Sequence, residues 1–107
     1  MQIVYLHKTE KAVAIKKIDN FLIALMRREF PSGVKIKNAQ KQWNGDNMTF
    51  SFKVKRGVIG TKISGNILVT DNTVKLTFNL PGLVKTFVSE EKIKNVINQQ
   101  FDELFTS

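Results

Sequence analysis

The sequence predicts an α+β domain in which one antiparallel sheet carries two helices on one of its faces. Apolar residues recur every three or four positions near both ends of the chain, which is the helical period. Between residues 34 and 80 they recur every second position, which is the strand period. Because each middle strand then has one apolar and one polar face, a sheet covered on one side is the natural arrangement. The 107 residues match the size of one domain, so we assign residues 1–107 to a single domain.

A short strand and a helix open the chain. The apolar run 3–6 predicts the strand, and Thr9 is expected to cap the helix, with Glu10 in its first turn. Pro31-Ser32-Gly33 is expected to stop this helix. Its apolar stripe consists of Ala14, Ile15, Ile18, Phe21, Leu22, Leu25, Met26 and Phe30.

Four alternating strands follow, separated by turn signals. The turns are predicted at Asn44-Gly45-Asp46, around Gly57 and Gly60, and at Asp71-Asn72, and Pro81-Gly82 ends the sheet. The inward set is Val34, Ile36, Met48, Phe50, Phe52, Val54, Ile63, Gly65, Ile67, Val69, Val74, Leu76, Phe78 and Leu80.

A second amphipathic helix closes the chain, after Ser89 as cap and with two glutamates in its first turn. Its stripe is Ile93, Val96, Ile97, Phe101, Leu104 and Phe105. The predicted order is therefore β-α-β-β-β-β-α, with the first strand expected in the same sheet.

The balance of charge favours acidic partners, since the formal net charge is +8. The alternation places six lysines on the uncovered face of the sheet: Lys35, Lys37, Lys53, Lys55, Lys62 and Lys75. They form either an anion-binding platform or a solvated face that blocks edge pairing, and the second interpretation is slightly favoured. Nucleic acid is possible but not favoured, because only Trp43 among the aromatic residues is placed to reach this face.

No constellation in the sequence supports an enzyme, so we expect neither catalytic residues nor cofactors. The absence of cysteine excludes disulfides and thiol catalysis, and no cluster has metal-ligand spacing. His7 is the only histidine, and a polar residue at a strand–helix junction is its simpler interpretation. Neither a signal peptide nor a stretch long enough to span a membrane is evident, which makes a cytoplasmic location the default.

The segment 80–88 is unusually apolar for a connection between elements. It either packs under the last helix, which we favour, or lines a groove that meets a hydrophobic surface or ligand. In the second case the contact residues are Leu80, Pro81, Leu83, Val84 and Phe87.

Several short motifs resemble the polyhydroxyalkanoic acid system family, also known as the granule-region family of polyhydroxyalkanoate (PHA) proteins. They are Trp43-Asn44-Gly45-Asp46, Phe50, Gly57-Val58-Ile59-Gly60, Ile67-Leu68-Val69 and Leu80-Pro81-Gly82-Leu83, with His7 before the first helix. The stretch 34–42 departs from that family pattern by its length and its Lys and Gln content, which predicts a bulge or a longer hairpin.

The resemblance implies a non-enzymatic accessory protein that meets a granule surface or an acyl ligand. The element order is similar to the fold of TATA-binding protein (TBP), a relative of the helix-grip architecture. Two alternatives stay open: a polyanion-binding or nucleic-acid-binding domain that uses the lysine face, and a homodimeric interaction module.

Overall fold

A computed structural model describes residues 1–26, 34–82 and 89–106. The described elements follow the predicted order β-α-β-β-β-β-α. They are β1 (Gln2–Leu6), α1 (Lys11–Met26), β2 (Val34–Asn44), β3 (Asn47–Arg56), β4 (Ile59–Val69), β5 (Thr73–Phe78) and α2 (Glu90–Thr106).

The five strands form one antiparallel sheet in the order β1-β5-β4-β3-β2. Strands β2 to β5 are joined by tight hairpins, and β1 pairs with β5, so β1 and β2 lie at opposite edges. The prediction that the first strand joins the same sheet is confirmed. Helix α1, which links β1 to β2, therefore passes from one edge of the sheet to the other.

The hydrophobic core lies between one face of the sheet, hereafter the covered face, and the two helices. Helix α1 contributes Ala14 and Ile18, and α2 contributes Phe101, all at most 1% exposed. The strands contribute Ile3, Met48, Ile63, Ile67, Val69, Val74, Leu76 and Phe78. Seven of the residues that the period of two assigned inward on β3, β4 and β5 are thus buried. Phe50, Phe52 and Val54 are half-buried and pack against this core.

The starts of the two helices differ in how well the sequence predicted them. Ser89 caps α2 as expected: its Oγ accepts a hydrogen bond from the Lys92 N–H at 3.2 Å. The prediction for Thr9 is wrong. The Glu10 carbonyl accepts the first helical bond, from Ala14, so Glu10 is the capping residue and Thr9 turns its hydroxyl toward His7.

A bulge interrupts β2, as the unusual length of this stretch predicted. The register passes from Lys37 opposite Lys53 to Gln40 opposite Ser51, so β2 has one extra residue. Asn38 lies at this bulge and adopts a positive φ of 54°. Since successive strand residues alternate between faces, the extra residue exchanges the faces of everything after it in β2.

Gly65 is required by the close approach of β5 to β4. A Cβ atom at this position would lie 2.1 Å from the Thr77 carbonyl oxygen and 2.7 Å from the Phe78 Cα. Both are backbone atoms that cannot turn aside, so only glycine fits. It stands opposite Phe50 on β3 and Phe78 on β5.

The predicted positions Phe30, Pro31-Ser32-Gly33, Leu83, Val84 and Phe87 lie outside the described residues, as do the side chains of Leu25, Met26 and Val34. The TBP-like name for the architecture stays a prediction.

Candidate functional site

An apolar cavity of about 290 Å³ lies between the covered face of the sheet and both helices. Of the 14 described residues that line it, Gln100 alone is polar. The walls come from α1, β3, β4, β5 and α2: Phe21, Leu22, Phe50, Phe52, Ile63, Ile67, Leu76, Phe78, Leu80, Ile93, Val96, Ile97, Gln100 and Phe101. A space with such walls can hold an apolar chain and offers little to a charged group.

Aromatic rings close one side of this cavity. Phe101 is 1% exposed, and its ring centre lies 5.4 Å from that of Tyr5 and 6.2 Å from that of Phe21. Phe105 stacks on Tyr5 at 5.6 Å. These tilted and offset pairs hold α2 against β1 and α1, so the position of the cavity wall is set by ring packing.

Tyr5 joins this aromatic cluster to the surface of α2. Its hydroxyl donates a hydrogen bond of 2.8 Å to the Asp102 carboxylate. Burial, and next the hydrogen bond and the negative charge of Asp102, raise the pKa of the Tyr5 phenol. The contact ties the first strand to the last helix.

Two of the predicted contact residues of the connecting segment are described. Leu80 is half-buried, packs against the core and lines the cavity, and Pro81 is half-buried next to it. The role of Leu80, Pro81, Leu83, Val84 and Phe87 in binding stays a prediction.

The opposite, uncovered face of the sheet carries the lysines, as the alternation predicted. Lys35, Lys37, Lys53, Lys55, Lys62 and Lys75 are all exposed, and their register positions fall on the side away from Met48 and Ile67. Phe50, Phe52 and Phe78 lie on the covered face, where they line the cavity. The two faces therefore differ sharply in chemistry.

Five of these lysines are brought together by strand register. Lys37, Lys53 and Lys62 are register partners on β2, β3 and β4 and form one row across the sheet. Lys35 and Lys55 form a second row, two residues further along the strands on the same face. We call these five residues the lysine rungs. Like charges directly opposite in a sheet repel, so this arrangement costs stability. Lys75 lies apart, between Val4 and Leu68.

The lysine rungs have no acidic partner among the described residues, where the ion pairs are Lys11 with Asp46 and Lys41 with Asp19. A shallow pocket of about 420 Å³ opens over four of them, all but Lys35, and is lined also by Asn38, Val58, Gly60 and Thr61. Its walls could offer ammonium, amide and hydroxyl donors to an anion.

The expectation that Trp43 reaches the lysine face is wrong. Trp43 lies opposite Met48 on the covered face, because the β2 bulge exchanges the faces beyond it. Its indole Nε1–H donates a hydrogen bond of 2.9 Å to Asp19 on α1. Lys41 also donates to Asp19, and these two hydrogen bonds, from Lys41 and next from Trp43, lower the pKa of the Asp19 carboxyl.

His7 is buried, at 4% exposure, between β1 and α1. Its Nε2 lies 2.9 Å from the Thr70 carbonyl oxygen, and its Nδ1 accepts the Thr9 N–H at 3.3 Å. These contacts assign the proton to Nε2, since a carbonyl can only accept. The ring also stacks on Phe105 at 5.6 Å. Both nitrogens thus serve the strand–helix junction.

Sequence reasoning missed the cavity but not its walls. Alternation and helical period assigned nearly every lining residue to the inward set, yet neither pattern tells whether side chains from the helices and from the sheet fill the space between them.

Among the described residues no group of three or more His, Asp or Glu comes together in a way that could hold a metal ion. No described helix combines the length and the apolar character needed to cross a membrane.

A comparison with known families is informative over nearly the whole chain. Residues 1–105 match the model of the family described as "Putative polyhydroxyalkanoic acid system protein". No curated protein and no solved structure shows a significant match. Because the match extends over almost every residue, the chain belongs to the polyhydroxyalkanoic acid system family.

Proposed function

We propose that the protein is a non-enzymatic accessory protein of the polyhydroxyalkanoic acid system that binds an acyl chain in the cavity between helices and sheet. The observation that carries this proposal is the cavity itself: about 290 Å³, with 13 apolar residues among the 14 described ones that line it. The volume lies at the lower end of the roughly 300–1,000 Å³ typical of small-molecule sites.

The chemistry of the walls favours an alkyl chain. Each methylene group that leaves water for such a site gains about 0.8 kcal/mol. Phe21, Phe50, Phe52 and Phe101 supply large flat surfaces, and the two helices supply branched aliphatic ones. A hydroxyalkanoic acid, the unit after which the family is named, has a chain of this kind. Its carboxyl or ester end would stay at the mouth, because the walls offer almost no polar partner.

A binding role agrees with the state of His7. A general base needs a ring nitrogen within reach of substrate, whereas both nitrogens of His7 face backbone groups of the protein. The described residues of the cavity walls supply neither a nucleophile nor an acid. The polyanion and homodimer alternatives stay predictions; for nucleic acid, the described lysine face offers no aromatic ring on which bases could stack.

A displacement assay tests the proposal. The protein is titrated with a fluorescent medium-chain fatty acid, and the probe is then displaced with an unlabelled medium-chain 3-hydroxy acid. The variant Ile97→Phe narrows the cavity from α2 and is expected to weaken probe binding at least tenfold. The matched control Val13→Phe enlarges an exposed position of α1, 42% exposed, and should bind as the parent does.

Sedimentation with polyester granules provides a second arm, because the same cavity could take a chain end from a polymer surface. If the parent protein binds neither the fatty acid nor the granules, the proposed function is refuted. Equal binding by the parent and Ile97→Phe would show that the probe sits elsewhere, and would refute the assignment to the cavity.

A further inference from the structure

A hairpin arm extends beyond the end of β5. Strand β4 pairs with β5 only from Gly65 onward, whereas its pairing with β3 continues to Ile59. Asn79, just after β5, still holds β4 through hydrogen bonds with Ser64 and the Lys62 carbonyl. The three residues 59–61 therefore reach about 10 Å past the last of these contacts. The arm ends in a two-residue turn at Gly57 and Val58, where Gly57 adopts a positive φ of 62°.

The turn of this arm presents an apolar side chain to water. Val58 is 97% exposed and Ile59 is 46% exposed. Isolated exposed aliphatic residues are ordinary on protein surfaces. Val58, however, stands at the turn itself and lines the pocket over the lysines. Ile59 pairs with Arg56 and, by strand alternation, belongs to the covered side.

The lysine rungs lie directly behind the tip on the uncovered face. Lys55 and Gly60 form the second pair from the turn, after Arg56 and Ile59, and Lys53 and Lys62 lie two pairs further along. These lysines have no carboxylate partner among the described residues, and the strands hold them side by side in spite of their mutual repulsion. A surface that brought negative charge to several lysines at once would relieve that repulsion.

We propose that this arm docks on an anionic lipid surface, with Val58 inserted among the headgroups and the lysine rungs against the lipid phosphates. An apolar tip bordered by cations complements such a surface in both of its layers. A nucleic acid backbone would use the lysines but not the tip, and the described part of the face offers no stacking ring, so the lipid is the better match. The site is separate from the cavity and does not depend on the function proposed for it.

Vesicle binding tests this proposal on the whole chain. The protein is mixed with phosphatidylcholine vesicles that contain or lack phosphatidylglycerol, and the bound fraction is measured by sedimentation. Binding is expected only with the anionic lipid and should weaken as salt is added. A lysine close to such a surface contributes about fivefold to affinity, so the triple variant Lys37→Gln/Lys53→Gln/Lys62→Gln should lose about 100-fold.

Two further variants distinguish docking of the arm from a general attraction between the positively charged protein and the anionic vesicles. Val58→Ser keeps every charge and should lose several-fold in affinity. The triple variant Lys16→Gln/Lys92→Gln/Lys94→Gln removes the same charge from exposed positions on the helices. It should change affinity by less than about threefold, because salt screens the attraction between the vesicle and charges that lie away from the docking surface. Thermal unfolding of each variant confirms that it is folded.

Three results would overturn the proposal. The first is no binding to anionic vesicles at low salt. The second is an equal loss for the two triple variants, which would reduce the effect to net charge. The third is binding to double-stranded DNA in preference to vesicles with no effect of Val58→Ser, which would assign the lysine rungs to nucleic acid. Fatty-acid binding in the cavity should be unchanged in Val58→Ser, so the two proposals fail independently.

Discussion

Replacement of Phe101 by alanine should remove a large part of the stability of this protein. Phe101 is 1% exposed and packs between Tyr5 and Phe21, so the alanine substitution removes the main contact between α2 and the core. Such truncations cost about 3–5 kcal/mol when the surroundings cannot collapse. The residue already borders a cavity of about 290 Å³, which the new void would enlarge, so we expect the upper part of that range.

The stability lost in Phe101→Ala can be compared with the total stability of the domain. A domain of 107 residues has a free energy of unfolding of about 5–15 kcal/mol. A loss of at least 3 kcal/mol should lower the unfolding temperature by about 12 °C or more. Urea denaturation followed by circular dichroism measures the change, with the transition midpoint falling at constant slope.

Two companion variants keep the test informative. Phe101→Leu retains most of the volume and should cost about 1.5 kcal/mol or less, so it remains measurable if the alanine variant does not fold. Val13→Ala, at an exposed position of α1, should change stability by less than about 0.5 kcal/mol. A cost below about 1 kcal/mol for Phe101→Ala would refute the packing of α2 described here.

Three further predictions concern the sheet and its ion pairs, and urea denaturation measures each. Gly65→Ala should destabilise the fold by about 1–3 kcal/mol or prevent folding, because the new Cβ meets the Thr77 backbone; an unchanged midpoint would contradict that close approach. Because the pKa of Asp19 is lowered in the folded state, its contribution to the free energy of unfolding is fully present above its ordinary pKa of 3.8 and is lost as pH falls through the lower folded value. Asp19→Asn should therefore make the free energy of unfolding depend less on pH in the acid range. The same acid dependence in the variant and the parent would argue against the Lys41 contact. Lys53→Gln should raise the free energy of unfolding by about 0.2–1 kcal/mol at low salt and by less at high salt, and a loss of stability would show that the central lysine is not under repulsion.

The sorting of side chains between the two faces of the sheet could be predicted from the sequence, because a strand alternates its side chains whatever its neighbours are. That rule placed the six lysines and Phe50, Phe52 and Phe78 correctly. It failed at Trp43, because one extra residue at Asn38 exchanges the faces and no single residue type marks where a bulge falls.

The two candidate sites depend on relations between strands, which the patterns of single strands do not contain. The lysine rungs exist because the register aligns Lys37, Lys53 and Lys62, whereas the alternation within each strand gives only the face of each lysine and not its neighbours. The cavity likewise depends on how far the helices stand from the sheet, and periodicity gives only the direction in which a side chain points. The capping of α1 by Glu10 was missed for a local reason, since Thr9 is engaged by His7.

The most direct test of the account is the methyl spectrum of isotope-labelled protein, recorded by nuclear magnetic resonance while a medium-chain fatty acid is added. The account predicts shifts at Ile63, Ile67 and Ile97, which line the cavity, and none at Val58 or Val13, which are exposed elsewhere. Shifts confined to Val58 and Val13, or no shifts at saturating ligand, would contradict the claim that the helices and the covered face enclose a binding site.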